Sequence, residues 1–260
     1  MKATIEYDGG RYRGWQAQVN ARTVQGVLLH ALHERLGAGV RVHGAGRTDA
    51  GVHALAQVAS IHLPAGRAAG NLEALRRDLN DLLPFDVNLL ALAPAPPTFH
   101  ARHDALLRVY RYRLSRRRTA FGKPYVFWVK DRLDAEAMSR AAAALVGRHD
   151  FGSFCENPEG HDSTLVEVSF ARLAEARGEP DLLVFRIGAS HFLWKMVRRV
   201  VGALVEVGTG RLPPDAIAAL LSSRSTAPAA WTAPPSGLFL EAVLYPGDPA
   251  PEVDDLRPAY

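Results

Sequence analysis

One carboxylate in this chain is placed as a reacting group would be. Asp49 lies in the run Gly44-Ala45-Gly46-Arg47-Thr48-Asp49-Ala50-Gly51-Val52-His53, between two apolar segments, with two glycines before it and one after. Glycine lets backbone come close to a ligand and take dihedrals closed to other residues. Arg47, two residues earlier, sets a cation near the acid. Such a loop suits the presentation of Asp49 to a substrate. A surface turn in which Asp49 caps a neighbouring amide is the plain alternative, and the local residues leave both open.

Basic residues gather at two further places. Seven arginines lie between Arg102 and Arg118 against one acid, Asp104, and Lys195, Arg198 and Arg199 follow later. Guanidinium forks pair well with phosphate, so Arg108, Arg111, Arg116, Arg117, Lys195 and Arg199 are candidates for contact with a nucleic-acid backbone. In the strand from Arg108 to Arg113, a period of two puts Tyr110 and Tyr112 on the face of Arg108, and Arg111 and Arg113 on the other with Val109. A tyrosine on a sheet can stack on a base; one of the two is expected in the core and the other at the site. In a predicted helix over 192–207, Leu193, Val197, Val200, Val201 and Leu204 form the apolar stripe. Lys195 and Arg199 then fall on the far side, while Arg198 borders the stripe, placed to pair with an acid.

Several chemistries lack their residues. The glycine loop has no Gly-Lys-Ser/Thr, and its spacing is not that of a dinucleotide fingerprint. Ten histidines include no His-Glu-x-x-His pair, and a second acid loop, as a two-aspartate protease needs, is missing. His53 fits packing or hydrogen bonding better than the role of a base. Cys155 is the only cysteine, which excludes disulfides within the chain and cysteine-rich zinc sites. The 260 residues, 48% hydrophobic and 22% charged with net charge +4, suit one large or two average globular domains. No apolar run reaches the ~20 residues of a membrane span, and the alternating start lacks a signal-peptide core, so a cytoplasmic protein is expected.

The elements that must position these residues read in the order β-α-β-β-α-β. Lys2–Tyr7 alternates as a strand, Thr23 caps a helix that ends at Gly37, and strands follow over 40–42 and 56–63. Asn71 caps a second helix stopped by Pro84, and a strand over 86–93 precedes the link Pro94-Ala95-Pro96-Pro97. The second half repeats the order: strands over 105–114 and 125–129, a helix capped by Asp134 and ending at Gly147, strands over 165–173 and 182–187, the 192–207 helix, a short helix after Pro213-Pro214, and a strand over 238–245. The expected fold is α+β: two ferredoxin-like halves side by side, with mainly antiparallel sheets forming a basic central cleft. The expected domains are 1–104, carrying the Asp49 loop, and 105–245, with a flexible tail over 246–260.

These residues resemble the TruA-type tRNA pseudouridine synthases. The resemblance rests on Tyr7-Asp8-Gly9-Gly10 with Gly14-Trp15-Gln16, Thr23-Val24-Gln25-Gly26, and Gly46-Arg47-Thr48-Asp49-Ala50-Gly51-Val52-His53. It extends to Phe99-His100-Ala101-Arg102, Tyr110-Arg111-Tyr112, Met196-Val197-Arg198 and Gly237-Leu238-Phe239-Leu240, in the family's order. Leu29 stands where members often carry glutamate, outside the acid loop. The resemblance implies isomerisation of uridine to pseudouridine at positions 38, 39 and 40 of the tRNA anticodon arm, without cofactor or metal, by a homodimer whose two subunits share one tRNA. It implies Asp49 as nucleophile, Arg198 as its partner, Arg47 as the group that displaces the base, and Tyr110 and Leu238 against the uracil. A guanidinium beside Asp49 would oppose the neutralisation that burial under a flipped base favours. Two other readings compete: a glycosidase that uses Asp49 and releases free uracil, and an RNA-binding module in which Asp49 is incidental.

Overall fold

The computed structural model describes residues 1–254. Packing divides the described residues into two units, Met1–Leu106 with Phe239–Asp248, and Leu107–Leu238 with residues 249–254.

In the first unit, β1 (Lys2–Tyr7), α1 (Val24–Leu36), β2 (Arg41–Gly44), β3 (His53–His62), α2 (Leu72–Leu82) and β4 (Val87–Ala93) follow the expected order. β1 lies between β3 and β4, antiparallel to both, and β2 is antiparallel to the last four residues of β3. The pleat puts Ala3, Ile5 and Tyr7 inside. The Thr23 hydroxyl accepts from the Gly26 N–H to start α1, and Gly37, at φ 81°, ends it. The Asn71 side chain accepts from the Ala74 N–H and does the same for α2.

The second unit holds β5 (Leu107–Ser115), β6 (Phe127–Trp128), α3 (Ala135–Ala143), β7 (Gly147–Asp150), β8 (Leu165–Ala176), β9 (Glu179–Ala189), α4 (Met196–Gly208) and α5 (Ala216–Ser222). Its sheet runs β5-β9-β8-β7, antiparallel throughout, with β6 parallel to the end of β5. The chain then enters β10 (Leu238–Leu244), where Phe239 and Leu240 lie parallel to His53 and Ala54. The fold is α+β with mixed, mostly antiparallel pairing.

Three features differ from the sequence expectation. Gly147 opens β7 instead of closing a helix, because α3 has already stopped at Ala143. α4 begins at Met196, four residues later than expected, because Lys195 is left-handed (φ 59°, ψ 5°) and the Trp194 carbonyl accepts from the Glu156 N–H instead of entering a helix. Of the expected flexible tail, residues 255–260 lie outside the described residues. Within the rest, Arg186 donates to the carbonyls of Glu252 and Val253 at 2.6 and 2.7 Å. Among the described residues, no helix is long and apolar enough to cross a membrane.

Gly202 in α4 gives a test of packing in the second unit. Alanine in a helix normally stabilises by ~1 kcal/mol over glycine, but a Cβ here would sit 1.6 Å from the Trp231 carbonyl oxygen. Gly202→Ala is therefore expected to destabilise by about 1–3 kcal/mol, lowering the thermal midpoint by several degrees. A midpoint equal to wild type or above it contradicts this packing.

Candidate active site

The Asp49 loop joins β2 to β3 in the first unit, and its backbone is anchored on both sides of Asp49. The Gly44 Cα rests on the Trp15 indole, where a Cβ would lie 2.5 Å from Nε1. The Ala45 N–H donates to the Val58 carbonyl at 2.8 Å, and Gln57 Nε2 donates to the Gly46 carbonyl at 2.9 Å. Thr48 is held twice: its carbonyl accepts from the Trp15 N–H at 3.0 Å, and its buried hydroxyl shares a 2.8 Å hydrogen bond with that of Tyr7. Burial raises the Tyr7 pKa to about 12, so the phenol stays protonated. Past the acid, the Gly51 N–H donates to the Tyr12 carbonyl, and the Val52 N–H closes a turn onto the Asp49 carbonyl at 3.1 Å. The Asp49 side chain is half-buried between these anchors.

Two of the three loop glycines have a physical reason. Gly44 needs the close approach to Trp15, and Gly51 takes φ 78°. A Cβ at Gly46 would meet nothing within 4 Å. Equally necessary glycines lie outside the loop. Gly14 has φ 91° and faces the Thr48 carbonyl, which a Cβ would approach to 2.6 Å; one at Gly9 would overlap the Val52 carbonyl oxygen.

Exposed Arg47 donates from Nε to Gln16 Oε1 at 3.0 Å; Gln16 Nε2 donates to Gln25 Oε1 at 2.7 Å, and Gln25 Nε2 to the Val42 carbonyl at 2.9 Å. This relay ties Arg47 to α1 and β2. Gln16 and Gln25 stand in motifs visible in the sequence, but nothing local to them reveals that role. His53 is 2% exposed, stacked on Phe239 at 4.8 Å, with Nδ1 near the Gly9 N–H and 2.9 Å from Asp8 Oδ1. It packs and hydrogen-bonds, as its position suggests.

In the second unit Tyr112 is fully buried, its hydroxyl donating to the Pro234 carbonyl at 2.7 Å, and burial raises its pKa. Gly237 lies against its ring, where a Cβ would sit 2.6 Å away. Tyr110, 7% exposed, meets Phe192 edge to face at 4.9 Å. Leu238 is buried. Arg198 is half-buried; its Nε donates to the Ala233 carbonyl at 2.7 Å, and the Ala233 N–H donates back to the Arg198 carbonyl.

The candidates for phosphate contact divide. Arg108 is buried and donates to the Ser190 carbonyl at 2.7 Å, and Arg111 is 4% exposed within the sheet. Arg199 is corrected: it does not lie on a solvated far side but is 7% exposed, donating to the Cys155 carbonyl and paired with Glu156. The loop through Cys155 and Glu156 covers that side of α4. Lys195 pairs with the same Glu156 at 3.1 Å. Arg116 and exposed Arg117 pair with Glu175 and Asp181.

A family model described as tRNA pseudouridine synthase matches residues 3–104 and 141–246, which defines the class: an intramolecular isomerase acting on uridine. The chain belongs to the tRNA pseudouridine synthase A family, the TruA type. It is 41% identical over 251 residues to tRNA pseudouridine synthase A of Moorella thermoacetica, covering 94% of this chain and 99% of the relative. The protein of that name from Thermotoga petrophila is 37% identical over 249 residues, with the same coverage. Among solved structures, an archaeal box H/ACA sRNP Nop10–Cbf5 complex aligns at 11% identity and TM-score 0.34, over 79% of this chain and 44% of that one. That likeness is too low to bear on the fold.

Gly14→Ala tests whether the anchors set the acid. It forces a side chain into a left-handed position and onto the Thr48 carbonyl, so turnover is expected to fall at least tenfold in a folded protein. Activity equal to wild type, with an unchanged circular dichroism spectrum, contradicts the role of this contact.

Proposed function

We propose that this enzyme converts uridine to pseudouridine at positions 38, 39 and 40 of the tRNA anticodon arm, as a cytoplasmic homodimer, with Asp49 as its nucleophile. The half-buried carboxylate on a loop anchored on both sides carries this reading. In the reaction the C1′–N1 bond of uridine is exchanged for C1′–C5; C5 loses its proton and N1 gains one. A carboxylate that must meet the sugar or the base during this exchange has to be held still, and the loop does that. The target is stacked in its stem and must be extruded. Arg47, exposed and tethered through Gln16, would enter the space it leaves.

Tyr110 and Leu238 would then lie against the flipped uracil, with Arg198 beside Asp49 to keep it ionised once water is excluded. Of the phosphate candidates, Arg116, Arg117 and Lys195 remain. Their pairs with Glu175, Asp181 and Glu156 are partly or largely exposed, and such pairs contribute only ~0–1 kcal/mol, so a phosphate can replace the carboxylate. Buried Arg108, Arg111 and Arg199 serve the protein's own carbonyls and packing. The other relevant reading, a glycosidase, differs in product.

Incubation of unmodified tRNA with the enzyme is expected to yield pseudouridine at positions 38 to 40 and no free uracil; release of uracil supports the glycosidase. On this proposal Arg198→Met takes away the cation that keeps the acid ionised, which favours the protonated carboxyl. The acid limb of kcat/KM is therefore expected to move to higher pH, and an unchanged profile refutes the pairing.

A further inference from the structure

Beside the Asp49 loop, in the first unit, lies a concavity of about 420 Å³ whose wall includes Arg11, Arg13, Arg22, Ala50 and Gly51. Three arginines and no acidic residue line it. Several arginines elsewhere are matched with carboxylates, among them Arg35 with Asp78, Arg140 with Glu136, and Arg211 with Glu206 and Asp131. Here only Arg22 has one, Asp86 at 3.7 Å, whose side chain is 3% exposed. Arg11 lies over the Phe85 ring at 5.3 Å, and among the described residues Arg13 has neither an ion pair nor a side-chain hydrogen bond.

The backbone builds this grouping. The Arg13 N–H donates to the Arg22 carbonyl at 2.9 Å, which sets the two residues side by side, and the Arg22 guanidinium rests over the Tyr12 ring at 4.9 Å. The Gly51 N–H bonds the Tyr12 carbonyl, so the wall is tied to the catalytic loop. Three like charges gathered with a single carboxylate repel one another, and a bound anion relieves that repulsion. A volume within the usual ~300–1,000 Å³ of ligand sites, walled in part by the two residues that follow Asp49, fits one nucleotide.

We propose that Arg11, Arg13 and Arg22 form a phosphate-binding subsite for the RNA backbone next to the uridine held at Asp49. The inference rests on the proposed function and deepens it. Contact through phosphate fixes the register of the strand and does not read its sequence. Its share of the binding is electrostatic and falls with salt.

The test is equilibrium binding of unmodified tRNA at a series of salt concentrations. The probe proteins are wild type, Arg11→Ala/Arg13→Ala, and the control Arg77→Ala/Arg140→Ala, which removes the same charge from two helix surfaces. The subsite predicts at least tenfold weaker binding at low salt for the Arg11/Arg13 variant and a log–log salt slope shallower by about 1 to 2, with the control near wild type. Equal losses in both variants mean a diffuse charge effect and overturn the subsite, as does a variant identical to wild type. Pseudouridine formation by wild type is scored separately. If wild type binds tRNA without converting it and the slope still falls, the subsite stands and the synthase reading fails; if it binds no tRNA, both fail.

Discussion

The Thr48 peptide is the fixed point of this structure. Its carbonyl is held by the Trp15 N–H and its hydroxyl by Tyr7, both from buried residues of the first unit. A buried hydroxyl or amide without a partner costs ~1–3 kcal/mol, so these bonds resist exchange with solvent. Asp49 follows directly, and the turn closed by the Val52 N–H limits it on the other side. The carboxylate is then half-buried and still held in place, which it would not be on a free loop.

The rest of the first unit serves that placement. Gly9 and Gly14 lack side chains that would keep the 9–15 stretch off the loop, and Gly44 in the loop makes room for Trp15 of that stretch. The amide relay from Val42 through Gln25 and Gln16 gives Arg47 a direction while leaving its charge at the surface. In the second unit the same economy of placement holds for Arg198, whose Nε and carbonyl are both engaged by Ala233, and for Tyr112, whose burial fixes the strand that carries Tyr110. Many basic residues that suggest RNA binding by their number alone have structural duties.

Local signals made much of this legible. β1, both N-caps of the first unit and the end of α1 follow from alternation and from side chains that satisfy amides within three residues. The Asp49 loop announces itself by composition. What stayed hidden depends on distant partners. β7 is four residues, Gly-Arg-His-Asp, with no apolar alternation. The late start of α4 and the burial of Arg199 both depend on Cys155 and Glu156, some forty positions away in the chain. That Gly14 and not Gly46 is sterically required could not be read either, because the Thr48 carbonyl that faces it belongs to another segment.

The central claim is that one ionised oxygen, Asp49, does chemistry that no neighbour can supply. Single-turnover conversion of tRNA by Asp49→Asn, with tRNA affinity measured in parallel, tests it most directly. The account predicts affinity within a few-fold of wild type and no detectable pseudouridine. Conversion by the asparagine variant at a rate near wild type would contradict it.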